Sequence, residues 1–292
     1  MIEGFLNYLR FERNYSELTI EGYGGDLRDF QAYFQGLDGG LTWQNVDADV
    51  VRGWMEQMMD KGNSATSVNR RLSAIRTFYK YAMTMGLAEA NPAHAVEGPK
   101  KHKPLPQFLK EREMDELLDS DSWEDNYKDV RARTLLLVFY STGIRLAELI
   151  GLDDEMVDLT RCEMKVTGKR DKQRIIPFGR ELHDAIQDYM ACRDAHIPRT
   201  SSALFVTVEG ERMNRNKVRY QVQKALSRVT TLKKRTPHVL RHTFATAMLN
   251  HEAGLESVKK LLGHESLSTT EVYTHATFEQ LKRICNNAHP RA

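Results

Sequence analysis

The chain has 292 residues, 41% of them hydrophobic and 28% charged, with a formal net charge of +2. This length allows two domains of ordinary size, and the composition is typical of a globular protein. No stretch reaches the ~18 consecutive apolar residues that a membrane span needs. The N-terminal stretch carries Glu3 and has no signal-peptide pattern. Three cysteines without metal-ligand spacing (Cys162, Cys192 and Cys285) favour reduced thiols in a cytoplasmic protein.

Residues 1–90 predict a small domain of four or five helices. Apolar residues recur at spacings of three and four through the whole stretch. Ser16, Asp47 or Asp49, and Ser64 are candidate N-terminal caps, and Gly62 and Gly86 are typical helix ends. The last of these helices carries Arg70, Arg71 and Lys80 on its polar side. We therefore expect a helical domain with one basic face.

A basic connector is predicted over residues 91–106. Four prolines in this stretch exclude regular secondary structure. Three lysines, Lys100, Lys101 and Lys103, make it cationic. A stiff cationic connector suits a protein that closes around its partner like a clamp.

Residues 107–292 predict a second domain that is mainly α with a small β-sheet. Helical patterns occupy residues 110–118, 134–142, 180–193, 216–230, 237–251 and 255–262. Residues 162–178 alternate around a polar turn at 168–172 and predict a hairpin. A last helix over residues 277–287 has a short apolar stripe that is too small to be stable alone.

The charge distribution points to a polyanion. Ten Lys or Arg and no acid lie between Arg212 and Arg241, and five lie between Lys61 and Lys80. Residues 99–106 of the connector are a third acid-free run. A solvated face would account for any one of them, but three in a nearly neutral chain predict DNA contacts. Our candidate DNA-binding residues are Arg70, Arg71, Lys100, Lys101 and Lys103.

The stretch LLGHESLSTTEVYTH places His264 nine residues before Tyr273. A lone tyrosine is usually a packing residue, and its phenol is protonated at neutral pH. To attack a phosphodiester it would need fixed cations around the phosphate and a proton donor for the leaving oxygen.

Three other stretches contain such groups. His238 and Arg241 share a helix face near a start marked by Pro237, where a phosphate binds well. Arg145 follows a turn glycine, and Glu148 could orient a basic partner. Lys169, in the hairpin turn, is a candidate general acid. Taken alone, His238 and Arg241 would be ordinary surface residues. Arg145 and Glu148 would be an ordinary Arg–Glu helix pair, and Lys169 would be a solvated lysine.

The order and the local context of seven residues resemble those of the tyrosine recombinases, and most closely those of the Xer-type site-specific recombinases. The seven residues are Arg145, Glu148, Lys169, His238, Arg241, His264 and Tyr273. The resemblance covers almost the whole chain. It implies a SAM-like core-binding domain, all α, followed by an α+β catalytic domain.

The resemblance also implies the chemistry. Tyr273 would attack the scissile phosphate and form a 3′-phosphotyrosine bond, while Arg145, His238, Arg241 and His264 hold the phosphate. Lys169 would protonate the leaving 5′ oxygen, and Glu148 would support the site. The enzyme would be a DNA strand transferase without metal or cofactor.

Partners also follow from the resemblance. We expect double-stranded DNA and a homo- or hetero-tetramer on two DNA sites, with the C-terminal tails passing cyclically between subunits. The role would be resolution of chromosome dimers at a dif-like site in the bacterial cytoplasm at the nucleoid. A second Xer recombinase and a septal DNA translocase are further expected partners. We expect no binding to a membrane. The alternatives are an integrase or invertase of a mobile element, a type IB topoisomerase-like enzyme, and a DNA-bridging protein that does not cut.

Overall fold

A computed structural model describes residues 1–101, 106–168, 172–263 and 275–292, with side chains of the last stretch described from residue 280. The chain folds as two compact units, Met1–Pro104 and Leu105–Ala292. The first is all helical and the second is mainly α with a small sheet, which confirms the predicted fold class. Within the described residues, no helix has both the length and the apolar character needed to cross a membrane.

The first unit is a bundle around an aromatic core. Its elements are α1 (Ile2–Asn7) with a π-helical turn after it (Tyr8–Glu12), α2 (Glu17–Leu37), α3 (Ala48–Asp60) and α4 (Ala65–Thr84). Asp47 and Ser64 cap α3 and α4 with side-chain hydrogen bonds, as predicted, whereas the Ser16 side chain makes no cap bond to α2. The Trp43 ring contacts rings from α2 and α4, which closes the core.

Residues 91–99 belong to the first unit rather than to a free connector. Ala93 and Val96 are buried in its core. Arg76 of α4 donates to both of their carbonyls, at 2.9 and 2.5 Å, and Asn69 donates to the Pro99 carbonyl at 2.8 Å. The connector therefore begins later than predicted, because the prolines exclude helix and strand but do not prevent packing.

The second unit is built around one buried helix. Its helices are α5 (Glu111–Leu118), α6 (Tyr127–Thr142), α7 (Leu146–Ile150), α8 (Arg180–His196), α9 (Arg215–Leu226), α10 (Pro237–Asn250), α11 (Leu255–Leu262) and α12 (His275–Ala288). The second half of α6 is buried on every side, because it is apolar around its circumference. Gly143, with φ of +58°, ends α6 in the left-handed region.

The predicted hairpin forms part of a three-stranded antiparallel sheet. Its strands are β1 (Val157–Asp158), β2 (Glu163–Thr167) and β3 (Gln173–Pro177), in that order. Gly168 donates to the Lys172 carbonyl at 2.7 Å and closes the β2–β3 turn. On β3, Arg174 and Ile176 are buried while Ile175 is exposed. A charged residue therefore occupies the inner face of the sheet.

The C-terminal helix α12 packs on its own domain. Leu281 and Ala288 are buried in a cluster with Phe244 and Met248 of α10 and with apolar residues of α11. His289 hydrogen-bonds through Nε2 to the Tyr140 carbonyl at 3.0 Å. In the single chain the tail therefore docks on its own domain, and docking on a neighbouring subunit stays a prediction. Packing within one chain has no translational entropy cost of association, and α10 and α11 offer an apolar face beside it.

Candidate active site

The site is organised around the C-terminal end of α11. A helix leaves its last carbonyls without intrahelical partners and carries partial negative charge at this end. Gly263 ends α11 with φ of +65°, and its N–H bonds to the Lys259 and Lys260 carbonyls. The next three carbonyls in the chain, those of Leu261, Leu262 and Gly263, remain to be satisfied.

Three arginines from different elements each donate to one of these three carbonyls. Arg174 Nε lies 3.1 Å from the Leu261 carbonyl, Arg241 Nη2 lies 2.7 Å from that of Leu262, and Arg145 Nη2 lies 2.7 Å from that of Gly263. Sequence analysis placed Arg145 and Arg241 in one site, and the structure brings them together here. Each guanidinium has N–H donors beyond these bonds.

Arg241 is the most confined cation of the three. It lies on α10, whose first residue is Pro237 as predicted, and its side chain is 7% exposed. Its Nη1 donates to the Gly143 carbonyl at 2.5 Å. Burial, together with the charges of Arg145 and Arg174, lowers the pKa of Arg241 to about 10. A buried cation that two other cations destabilise is typical of a pocket for an anion.

Arg145 is held by Glu148 at the N-terminus of α7. The Glu148 carboxylate accepts from the Arg145 backbone N–H and from Arg145 Nη1, both at 2.8 Å. The same carboxylate accepts two bonds from Arg174, at 2.7 and 2.9 Å. Burial opposes ionisation of Glu148, but Arg174 and Arg145 outweigh it and lower its pKa to about 2. Counted over the described side chains, one carboxylate faces three guanidinium groups, which leaves a net positive charge.

His238 lies in the first turn of α10, one turn before Arg241. Its Nε2 is 3.1 Å from Nε2 of His242, so the two rings can share one proton along this contact. The pKa of His238 lies below its ordinary value, first because of partial burial and then because of His242 and Arg241. A neutral imidazole at neutral pH can accept a proton.

Three predicted residues, Lys169, His264 and Tyr273, lie outside the described residues. The chain on either side of them is described. A Cβ atom added to Gly168 would lie 3.3 Å from Glu148 Oε1, so the turn that contains Lys169 begins beside this carboxylate. Gly263, bonded to Arg145, directly precedes His264 in the chain.

The chain matches two family models that together span most of its length. Residues 107–280 match the phage integrase family, and residues 2–86 match the phage integrase N-terminal SAM-like domain. The chain is a tyrosine recombinase of the Xer type. Tyrosine recombinase XerC of Staphylococcus saprophyticus is 37% identical over 295 aligned residues, covering 99% of this chain and 97% of that protein. The XerC of Staphylococcus aureus strain MSSA476 is 38% identical over 290, covering 99% and 96%.

Solved structures share the recombinase fold. The XerH site-specific recombinase, in a post-cleavage complex with palindromic difH substrate, aligns with a TM-score of 0.72 and 22% identity over 97% of this chain and 83% of its own. The integrase of mycobacterium phage Brujita aligns with a TM-score of 0.53 and 21% identity over 100% and 93%. The activity of this recombinase is site-specific DNA strand transfer.

Two residues that contact the predicted site residues are not among the candidates from the sequence. Arg174 lies within the predicted hairpin and alternates with Ile176 on the buried face of β3. A charged residue in an inward-facing register was the available signal. His242, one helical turn after His238, is the second.

The predicted DNA-binding residues of the first unit fall into two groups. Both terminal nitrogens of Arg70 donate to the buried Asp26, and Arg71 donates to Asp29 at 3.1 Å. Lys100 and Lys101 are exposed, whereas Lys103 lies outside the described residues. Acids of α2 therefore neutralise part of the basic face expected on α4.

Throughout the described ranges, no three His, Cys, Asp or Glu side chains are placed together so that they could hold a metal ion.

Proposed function

We propose that this recombinase cuts and rejoins DNA through a covalent bond between Tyr273 and a 3′ phosphate, with Arg145, His238 and Arg241 around the scissile phosphate. The observation that supports this proposal most is the convergence of Arg145 and Arg241 on the carbonyls that precede His264. A phosphodiester supplies the anion that this cationic pocket lacks.

The proposed reaction has two balanced steps. The Tyr273 oxygen attacks phosphorus and the bond to the 5′ oxygen breaks, while His238 accepts the tyrosine proton and Lys169 gives a proton to the leaving 5′ oxygen. In the second step, a 5′-hydroxyl of the partner duplex attacks the phosphotyrosine and gives its proton to Lys169, while the bond to Tyr273 breaks and the tyrosine oxygen takes a proton back from His238. Arginine and His264 donors stabilise the charge that builds on the phosphate in both steps. No ATP is needed, because the phosphotyrosine bond conserves the energy of the phosphodiester.

A DNA-facing surface of the catalytic domain is part of the proposal. Helix α9 exposes Arg215, Lys217, Arg219 and Lys224, of which Arg215 and Arg219 lie one turn apart and make a basic side next to the buried Val218 and Val222. Such a side can bind phosphates along a duplex and position the site over one of them.

The biological role we propose is resolution of chromosome dimers at a dif-like site before cell division. The full-length likeness to XerC proteins supports this role. We propose that the protein acts in the cytoplasm as a tetramer on two duplexes, with a second recombinase and a septal DNA translocase as partners. Exchange of tails between subunits would first have to break the contacts of α12 with its own domain.

A second candidate is an integrase of a mobile element. Its support is the match to the phage integrase family and the shared fold with a phage integrase. Both candidates use the same site on different DNA.

Mapping of covalent protein–DNA adducts across the host chromosome separates the candidates. The dimer-resolution role predicts one site, near the terminus of replication. Adducts at the ends of an inserted element would instead establish the integrase. Occupied sites without any adduct would identify a DNA-bridging protein and contradict both recombinase roles.

A further inference from the structure

Arg174 has contacts that its place on a hairpin strand does not require. Its side chain is 8% exposed and donates Nη1 and Nη2 to the two oxygens of Glu148. Its Nε donates to the Leu261 carbonyl. A Cβ atom added to Gly263 would lie 3.2 Å from Arg174 Cδ, Nε and Nη1. One guanidinium thus joins β3, α7 and the end of α11.

Glu148 connects Arg174 to Arg145. A buried carboxylate needs a cation with well-aligned donors, and it attracts whichever one is within reach. With Arg174 bound to both Glu148 oxygens, Arg145 shares only one bond from its guanidinium, through Nη1. Without Arg174, the same carboxylate would have Arg145 as its remaining guanidinium partner and would favour a two-bond pair with it.

We propose that Arg174 is a positioning residue for strand transfer, which keeps Arg145 free for the phosphate by neutralising Glu148. This inference rests on the proposed function, in which Arg145 holds the scissile phosphate. In this proposal Arg174 acts through Glu148 and not on the phosphate, because its three bonds run to the Glu148 carboxylate and the Leu261 carbonyl.

The first test is single-turnover cleavage of a nicked suicide duplex. Arg174→Met should slow cleavage by about 10²-fold, comparable to the loss of a phosphate donor. Arg174→Lys should lose less, about 10-fold, because an ammonium neutralises Glu148 but cannot bind both of its oxygens and Leu261 together. Half-site binding should stay within about threefold for both, since the DNA-facing cations are intact.

A matched control separates positioning from stability. Arg193 is fully buried and pairs with Asp154 and Asp194. Arg193→Met therefore removes a comparable buried ion pair from another part of the domain. If Arg174→Met does not fold, the Arg174→Lys variant carries the test.

Two readouts distinguish positioning from simple scaffolding. Adding Glu148→Gln to Arg174→Met removes the charge that captures Arg145, so the double variant should cleave faster than Arg174→Met alone. A methylphosphonate at the scissile position removes one anionic oxygen. On it, the fold losses of Arg174→Met and Arg145→Ala should both shrink, whereas that of Lys169→Ala should not.

Several outcomes would overturn the inference. One is a loss of cleavage rate below threefold in Arg174→Met, and another is a double variant that cleaves no faster than Arg174→Met alone. The third is that Arg174→Met loses the same factor on the methylphosphonate as on the normal duplex, and that Arg193→Met shows the same losses. An adduct in Tyr273→Phe, or a loss below tenfold in Arg145→Ala, would instead reject the proposed function. With those two variants behaving as proposed, failure at Arg174 rejects the positioning role alone.

Discussion

The electrostatics of Arg241 explain why the pocket favours binding of an anion. Its charge is buried and repelled by Arg145 and Arg174, and among the described residues the Glu148 carboxylate offsets this. Such a site is costly when empty and is relieved when a phosphate enters. The backbone carbonyls of Gly143 and Leu262 hold the guanidinium in place meanwhile.

Loss of either phosphate-binding arginine should slow cleavage strongly. We expect Arg145→Ala and Arg241→Ala each to reduce the single-turnover rate ~10²–10³-fold, because one donor to the charged transition state is lost. Arg180→Ala is the control, since Arg180 is an exposed arginine paired with Asp184 on α8. A loss below tenfold would remove that arginine from the site.

His238 should titrate below the ordinary histidine range. Its lowered pKa means that the neutral ring persists as the pH falls through 6.5, the ordinary value. Replacing His242 with Asn removes both bulk and a neighbouring charge, so the His238 pKa should rise toward 6.5. An NMR titration of the DNA-free protein, with the His238 signal assigned by His238→Ala, measures both values. A His238 pKa at or above 6.5 in the parent protein would contradict this account.

At the scale of elements, the tail helix α12 packs on its own domain. Leu281 is 3% exposed in a cluster with α10 and α11. In the DNA-free protein, Leu281→Ala should therefore lower the free energy of unfolding of the catalytic domain by about 2–4 kcal/mol. Urea denaturation measures it, and Leu255→Ala, at an exposed position on α11, is the control. An unchanged midpoint would mean that the tail does not dock on its own domain in solution.

Local patterns were sufficient to predict most elements. Helix α11 has its predicted bounds, Leu255–Leu262, because its apolar spacing and its terminal glycine coincide. The hairpin was recognised from alternation around a polar turn. Helix α9 ends at Leu226, earlier than predicted, because its apolar pattern continues into the turn that follows.

Long-range pairing was not predictable from the same patterns. Arg70 belongs to an acid-free run, yet its partner Asp26 lies 44 positions earlier. Arg174 pairs with Glu148 across 26 positions. Periodicity reports which face a residue occupies within its own element and carries no information on which distant charge it meets. Of the three arginines that meet at the end of α11, the sequence therefore predicted Arg145 and Arg241 but not Arg174.

At the scale of the whole molecule, the charge pattern predicts a salt-dependent DNA affinity. Phosphate contacts release counterions, so the affinity should fall steeply with salt. Arg219→Ala on α9 should make the slope of log affinity against log salt shallower by about one, equally on specific and unrelated duplexes. Arg70→Ala should change it less, because Asp26 already neutralises Arg70. A flat salt response in the parent protein would show that these cations are solvated surface.

The central claim is that Tyr273 becomes covalently joined to DNA, and trapping on a nicked suicide duplex tests it most directly. We expect the parent protein to accumulate an adduct whose digestion leaves a peptide containing Tyr273 on a 3′ phosphate. Tyr273→Phe should bind the same duplex with unchanged affinity and form none, because only the nucleophilic oxygen is missing. An adduct formed by Tyr273→Phe, or one joined to a 5′ phosphate, would contradict the account.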